Sequence, residues 1–149
     1  MSNLLARDVM TIPAITIHQD ITLKEAAETL MENHISGAPV VDDAGTLVGI
    51  ISESDLLNDS KRRIKLPRAA VFGFVIPTDE SLMKAFENGM SLRAKEVMTR
   101  KVVFAEEDTP VKVVSHMLLD KCINRVPVVR DGKPVGIITR SDLLKALMG

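Results

Sequence analysis

The chain has 149 residues, 46% of them apolar and 26% charged, with a formal net charge of −1. That size suits one soluble domain burying roughly two-thirds of its unfolded surface, and the even charge balance gives no ground for bulk binding to nucleic acid or an acidic membrane. The single cysteine, Cys122, excludes an intrachain disulfide; with no signal-peptide core at the N-terminus and no apolar run longer than Ala69 to Pro77, a cytoplasmic protein is expected.

In chain order, Ala6-Arg-Asp-Val-Met-Thr11 leads into a short β-rich run, Ala14 to Ile17. Thr22 then precedes a helical stripe of Leu23, Ala26, Ala27, Leu30 and Met31. Ala38-Pro-Val-Val41 reads as a strand, Asp42-Asp-Ala-Gly45 as a turn, and Leu47 to Ile51 as the return strand before a further helix. From Asn58 to Arg93 comes an insert with a basic run, Lys61 to Arg68, an apolar stretch, Ala69 to Ile76, and a short helix over Ser81 to Asn88 ending at Gly89. The apolar stretch needs a partner surface, either its own domain or a dimer interface or lid. After the insert, Val102 to Ala105 forms a second β-rich run. Thr109 and Pro110 open a helix as N-cap and first-turn proline, with Val111, Val114, Leu118 and Leu119 as its stripe. Val126-Pro-Val-Val129, the hairpin signal Asp131-Gly132, Val135 to Ile138 and a last helix complete the order.

The two halves are one pattern written twice. With a single residue deleted in the second hairpin, about twenty positions match outright, from Ala6 against Ala94 to Leu57 against Leu144. A unit of this length has an apolar face it cannot bury alone, so the twins are expected to pack together. Clefts between packed units are where small ligands sit.

Within each repeat, Gly49-Ile-Ile-Ser-Glu-Ser-Asp55 and Gly136-Ile-Ile-Thr-Arg-Ser-Asp142 carry the chemistry. One reading is purely structural: Ser52 or Thr139 as N-cap and Asp55 or Asp142 at the third helical position resemble a capping box. The other is a nucleotide site, with backbone amides and a hydroxyl for phosphate and a carboxylate one turn on for a ribose diol. Recurrence in both repeats, beside an apolar strand able to sandwich a base, weighs toward the second reading.

Val-Met-Thr, the apolar-Pro-Val-Val strand and Gly-apolar-apolar-Ser/Thr-x-x-Asp all occur twice and in order. Jointly they resemble a tandem cystathionine-β-synthase (CBS) domain pair, or Bateman module, over nearly the whole chain apart from the insert. The resemblance implies an α/β fold of α+β type: two β-α-β-β-α repeats, 1–57 and 94–149, packed with pseudo-two-fold symmetry, plus a helical/apolar insert, 58–93, between them in the chain. It implies no enzyme cofactor but an adenosyl ligand (AMP, ADP, ATP or S-adenosylmethionine, in some members a dinucleotide) in the cleft between repeats. It also implies a homodimer and a regulated effector. Carried onto this sequence, Asp55 and Asp142 take the ribose hydroxyls, with Ser52 and Thr139 near phosphate. The backbone around Ala38-Pro39 and Val126-Pro127 lines the base pocket, with Ser36 and Asn124 just upstream in the same set. Thr11 and Thr99 touch base or sugar; the segment each leads can cross to the other repeat's site, so their assignment stays open.

The two sites should differ, because Arg125 and Arg140 stand where the first repeat has Gly37 and Glu53. A guanidinium on phosphate makes charge-assisted bonds of about 1.5–3 kcal/mol each, whereas Glu53 would repel. The site on Thr139 and Asp142 is therefore expected to prefer anionic nucleotides, unless both arginines face solvent. The three histidines, with His18 in a turn, show no metal-ligand spacing, and Cys122 and Met31 fit apolar core stripes. The expected function is a stand-alone, non-enzymatic ligand sensor that signals to an unknown effector protein in trans, contacting neither membrane nor nucleic acid. A dimerising scaffold with vestigial sites is the alternative, and a nucleic-acid regulator using the basic insert a third.

Overall fold

Each repeat builds the same three-stranded sheet, and each sheet is completed by the other repeat. The computed structural model describes residues 3–57, 70–71, 74–75 and 91–148. The first repeat holds α1 (Ala6–Val9), β1 (Ile17–His18), α2 (Leu23–Glu32), β2 (Gly37–Val41), β3 (Leu47–Ser52) and α3 (Glu53–Leu57). A two-residue hairpin, β4 (Ala70–Val71) and β5 (Phe74–Val75), follows. The second repeat holds α4 (Ala94–Val97), β6 (Ala105–Glu106), α5 (Val111–Asp120), β7 (Arg125–Arg130), β8 (Lys133–Thr139) and α6 (Arg140–Met148). The sheet orders are β1-β2-β3 and β6-β7-β8, each with one parallel and one antiparallel pair. This is the mixed α/β fold of two like repeats that the sequence implies.

Local chemistry accounts for most boundaries. Thr22 and Glu25 exchange bonds as a capping box at the start of α2, Glu25 N–H donating to Thr22 Oγ1 at 3.2 Å. Asp131 and Gly132 both have positive φ, 52° and 79°, as a two-residue type I′ hairpin requires. The first-turn prediction at α5 shifts by one: Pro110 takes the cap position, and the Thr109 hydroxyl turns back to accept from Glu106 N–H at 2.9 Å. The first strand of each repeat is shorter than expected and lies later, at Ile17–His18 and Ala105–Glu106. Its partners are Val40–Val41 and Val128–Val129, so pairing begins immediately after a proline that has no N–H to give. His18 is thus a strand residue, not a turn residue.

The first core gathers Ile17, Leu23, Leu30, Val40 and Ile51 with Ala94, Val97 and Met98 of the second repeat. The second gathers Val114, Leu118, Val126, Val128 and Ile138 with Ala6 of the first. Each fully buried aliphatic side chain contributes about 1.5–3 kcal/mol. The lead segments are thus exchanged. Ala6 N–H donates to Thr109 O at 2.8 Å and Ala94 N–H to Ile21 O at 2.8 Å. Further on, Thr11 and Ile137 bond to each other through both amides (2.8 and 3.1 Å), and Ile50 and Thr99 do the same (3.0 and 2.9 Å).

Three residues of the expected apolar stripes lie outside the core, Leu119 among them at 66% exposed. Met31 is 75% exposed, and Cys122 is exposed with φ 52°. Cys122 and its counterpart His34 (φ 53°) end α5 and α2 in left-handed geometry, and Ile123 N–H and Ile35 N–H then reach back to Leu118 O and Leu30 O. Those bonds make a Schellman cap, which turns the chain sharply outward. The basic run of the insert and its expected helix lie outside the described residues. No helix among the described residues is long and apolar enough to cross a membrane.

Candidate functional site

The exchange of lead segments settles which threonine meets which aspartate. Thr11 crosses to the second repeat, where its hydroxyl donates to Asp142 Oδ1 at 2.9 Å; Thr99 crosses to the first, donating to Asp55 Oδ1 at 3.3 Å. The other oxygen of each aspartate serves the helix start. Asp142 Oδ2 accepts from Thr139 N–H (2.8 Å) and Oγ1 (3.1 Å), and Asp55 Oδ2 from Ser52 N–H (2.9 Å) and Oγ (3.1 Å). The capping geometry is therefore present in both repeats. A carboxylate offers about four acceptor directions, and Asp142 uses three of them here, which leaves room for a ligand hydroxyl.

Beside each aspartate lies a cleft. The one at Thr11 and Thr139, about 370 Å³, is walled by Ile15, Ile35 and Ile137 and flanked by Arg125 and Arg140. The one at Thr99 and Ser52, about 250 Å³, is walled by the matching Val103, Ile123 and Ile50, with Lys101 and Arg125 for cations. Aliphatic walls facing across a gap of this kind suit a flat heterocycle, with polar groups confined to one end. Arg125 is half-buried, and its guanidinium donates to Ser36 Oγ. Burial draws its pKa below the ordinary value, while the carboxylates of Glu53 and Asp55 push it up; it remains a cation.

The structure brings Thr11, Ser36, Asn124, Arg125, Thr139 and Arg140 to the first cleft, with Asp142 bonded to its rim. Ser52, Asp55, Thr99, Asn124 and Arg125 line the second. Ala38, Pro39, Val126 and Pro127 are not among the lining residues: they sit in the central strands, fully buried in the sheet cores. The expectation concerned the backbone around them, and the residues immediately before, Gly37 and Arg125, do line the first cleft. The sequence reading missed His34 in the first cleft and Cys122 in the second. Their shared place just after a helix stripe was the available signal, since a chain leaving a helix in left-handed geometry exposes that side chain.

Two other features resemble sites. A wider hollow of about 660 Å³ lies near the second hairpin, but its charges answer one another, Arg130 Nη2 donating to Glu107 Oε2 at 2.7 Å. That bond also holds the Glu107 carboxyl below its usual range. The group His18, Asp20 and Asp43 clusters potential metal ligands at the surface. Its imidazole is already used: Nδ1 accepts from Asp20 N–H at 3.1 Å, so Nε2 carries the proton facing Asp43 Oδ1 at 2.7 Å. Lys95 Nζ, 2.8 Å from Asp20 Oδ1, supplies the positive charge there.

Two like α/β units that trade lead segments and enclose a pair of equivalent clefts make a tandem-repeat module. The CBS domain family matches residues 6–61 and 94–149, and the chain belongs to that family as a CBS domain pair. It is similar to the CBS domain of a CBS domain containing membrane protein from Sphaerobacter thermophilus, at 41% identity over 97% of this chain and 88% of that one, TM-score 0.74. It is also similar to the CBS domain pair of protein MJ0100 in complex with 5′-methylthioadenosine and S-adenosyl-L-methionine (32% identity, 98% and 97% covered, TM-score 0.71). A third is CBSX2 of Arabidopsis thaliana in complex with AMP (26% identity, 97% and 96% covered, TM-score 0.72). The chain spans 92% of one curated relative but only 23% to 56% of four others.

Proposed function

We propose that this CBS pair is a non-catalytic cytoplasmic sensor that binds an adenosyl ligand (AMP, ADP, ATP or S-adenosylmethionine) between the repeats and signals to an effector protein in trans. The observation that carries this reading is the first cleft itself. Thr11 from one repeat and Asp142 from the other are already bonded at its rim, beside Arg125 and Arg140, against aliphatic walls. Asp142 takes the ribose hydroxyls, the isoleucines hold the base, and the arginines take the anionic end. The similar pair MJ0100, in complex with two adenosyl compounds, and CBSX2, in complex with AMP, support the ligand class. Because the rim is made by both repeats, a ligand there favours one arrangement of the two over another, and it can do so only by its differential affinity for them.

The direct test is calorimetric titration of the purified protein with AMP, ADP, ATP and S-adenosylmethionine. Binding of at least one member of the panel is expected in the micromolar range or tighter; no heat with any of them sinks the sensor. The complete capping bonds at Thr139 and Ser52 favour one other reading, a scaffold whose aspartates only cap helices. That reading predicts an oligomer indifferent to all four compounds.

A homodimer is part of the proposal. On α5 and α6, Leu119, Leu144, Leu147 and Met148 are 60% to 89% exposed, and Met31 on α2 repeats the place of Leu119. Matching apolar patches on pseudo-equivalent helices suit a second copy of the same chain. Leu144→Glu is expected to halve the mass seen in sedimentation equilibrium; an unchanged mass, or a monomeric wild type, removes this interface.

A further inference from the structure

We propose that Arg125 is one cation shared by both clefts, so that anionic ligands compete for it and the first to bind weakens the second. This rests on the adenosyl-binding reading above and adds a coupling between the sites.

Arg125 and Gly37 hold equivalent positions, opposite Thr139 in one sheet and Ser52 in the other. The Arg125 side chain extends over Gly37. A Cβ added at Gly37 would lie 2.6 Å from Arg125 Cζ and 3.0 Å from Nε, so any side chain there would have to push the guanidinium aside. Where the repeats meet, only one of the two equivalent positions has space for a long side chain, and glycine vacates the other. The result breaks the symmetry of the pair: two clefts and, among the described residues, one central guanidinium.

That guanidinium belongs to neither cleft alone, because Arg125 lines both. It donates to Ser36 Oγ in the wall of the first, while Asp55, a carboxylate that favours its charged form, lines the second. A neutral hydroxyl is a weaker partner than a phosphate oxygen, so an anionic ligand on either side displaces Ser36 readily. Once one ligand holds Arg125, the clefts are left unequally provided. The first keeps Arg140; the second keeps Lys101 against Asp55. With Gly37 as the counterpart, no second arginine among the described residues takes its place.

The test is calorimetry on the full chain with AMP and with adenosine, which lacks the phosphate. Asp142→Ala disables the first cleft. AMP is expected to bind the remaining cleft of that variant about tenfold more tightly than it binds as the second ligand of the wild type, a coupling of ordinary size. Adenosine is expected to show no such difference. Arg125→Gln should abolish the AMP difference. Gly37→Ala, which keeps the charge but displaces the guanidinium, should reduce it. One AMP per wild-type chain, with a second site appearing only in Asp142→Ala, is the extreme form of the expected result.

If the difference persists or grows in Arg125→Gln, direct repulsion between phosphates is responsible and the shared cation is overturned. Equal, independent AMP sites overturn it too while leaving the sensor intact. If neither AMP nor adenosine binds the wild type, the adenosyl reading itself has failed.

Discussion

Asp142→Asn is expected to lose the first cleft's share of the ligand-dependent rise in melting temperature while keeping nearly the wild-type melting temperature without ligand. A ligand at a hundredfold over its dissociation constant stabilises the fold by about 2.7 kcal/mol, or roughly 5–10 °C for a chain of this size. In Asn the side-chain oxygen still accepts from Thr139 N–H, as Asp142 Oδ2 does at 2.8 Å, so the cap survives. The second oxygen becomes an amide nitrogen, which cannot accept from a ribose hydroxyl. Asp142→Ala removes both functions: the first cleft's share of the ligand shift disappears, leaving only that of the second cleft, and the unliganded fold weakens by about 1 kcal/mol for the lost cap. The pair of variants separates the two uses of one side chain by differential scanning fluorimetry. A full ligand shift in Asp142→Asn would place the ligand elsewhere. Equal, ligand-independent losses in both variants would leave only the cap.

The second large effect falls where the lead segments cross. A Cβ on Gly49 would meet Met98 Cγ at 2.8 Å and Thr99 O at 3.1 Å; on Gly136 it would meet Met10 Cγ at 2.9 Å. Those methionines lie immediately before the crossing threonines, so each glycine is the floor on which the other repeat's segment rests. Gly49→Ala is expected to cost about 1–3 kcal/mol in urea unfolding, the usual cost of overpacking. Met98 is buried against the first core, and Met98→Ala alone is expected to cost about 2–5 kcal/mol. In the double variant the added methyl fills part of the vacated space, so the combined loss should be smaller than the sum. Strict additivity would show that the two side chains do not meet and would contradict the crossing.

Much of this was legible in the sequence. Matching Ala6 to Leu57 against Ala94 to Leu144 fixes two like units, and Asp131-Gly132 names its own turn type. The Ser/Thr-x-x-Asp segments fold as capped helix starts, the structural half of their double reading, and they lie at cleft rims. What stayed hidden is non-local. Nothing near Thr11 says that its partner is Asp142, because the bond depends on a route through the whole fold. Gly37 reads as an ordinary strand residue until Arg125 is found lying over it. Met31 and Cys122 misled because periodicity identifies apolar positions but not which of them another element covers. Cys122 in addition takes a backbone conformation that favours glycine, for which its residue type gives no hint.

The exchanged lead segments also bear on the order in which the chain becomes structured. Thr11 is synthesised 131 positions before its partner Asp142. The first sheet likewise lacks Ala94, Val97 and Met98 until the second repeat begins to emerge. A ribosome releasing this chain therefore delivers an unfinished first half, with apolar surface waiting for residues not yet made. Such long-range closure slows folding and favours all-or-none assembly over stepwise growth. The twin units, so alike in sequence, are born as one folding event.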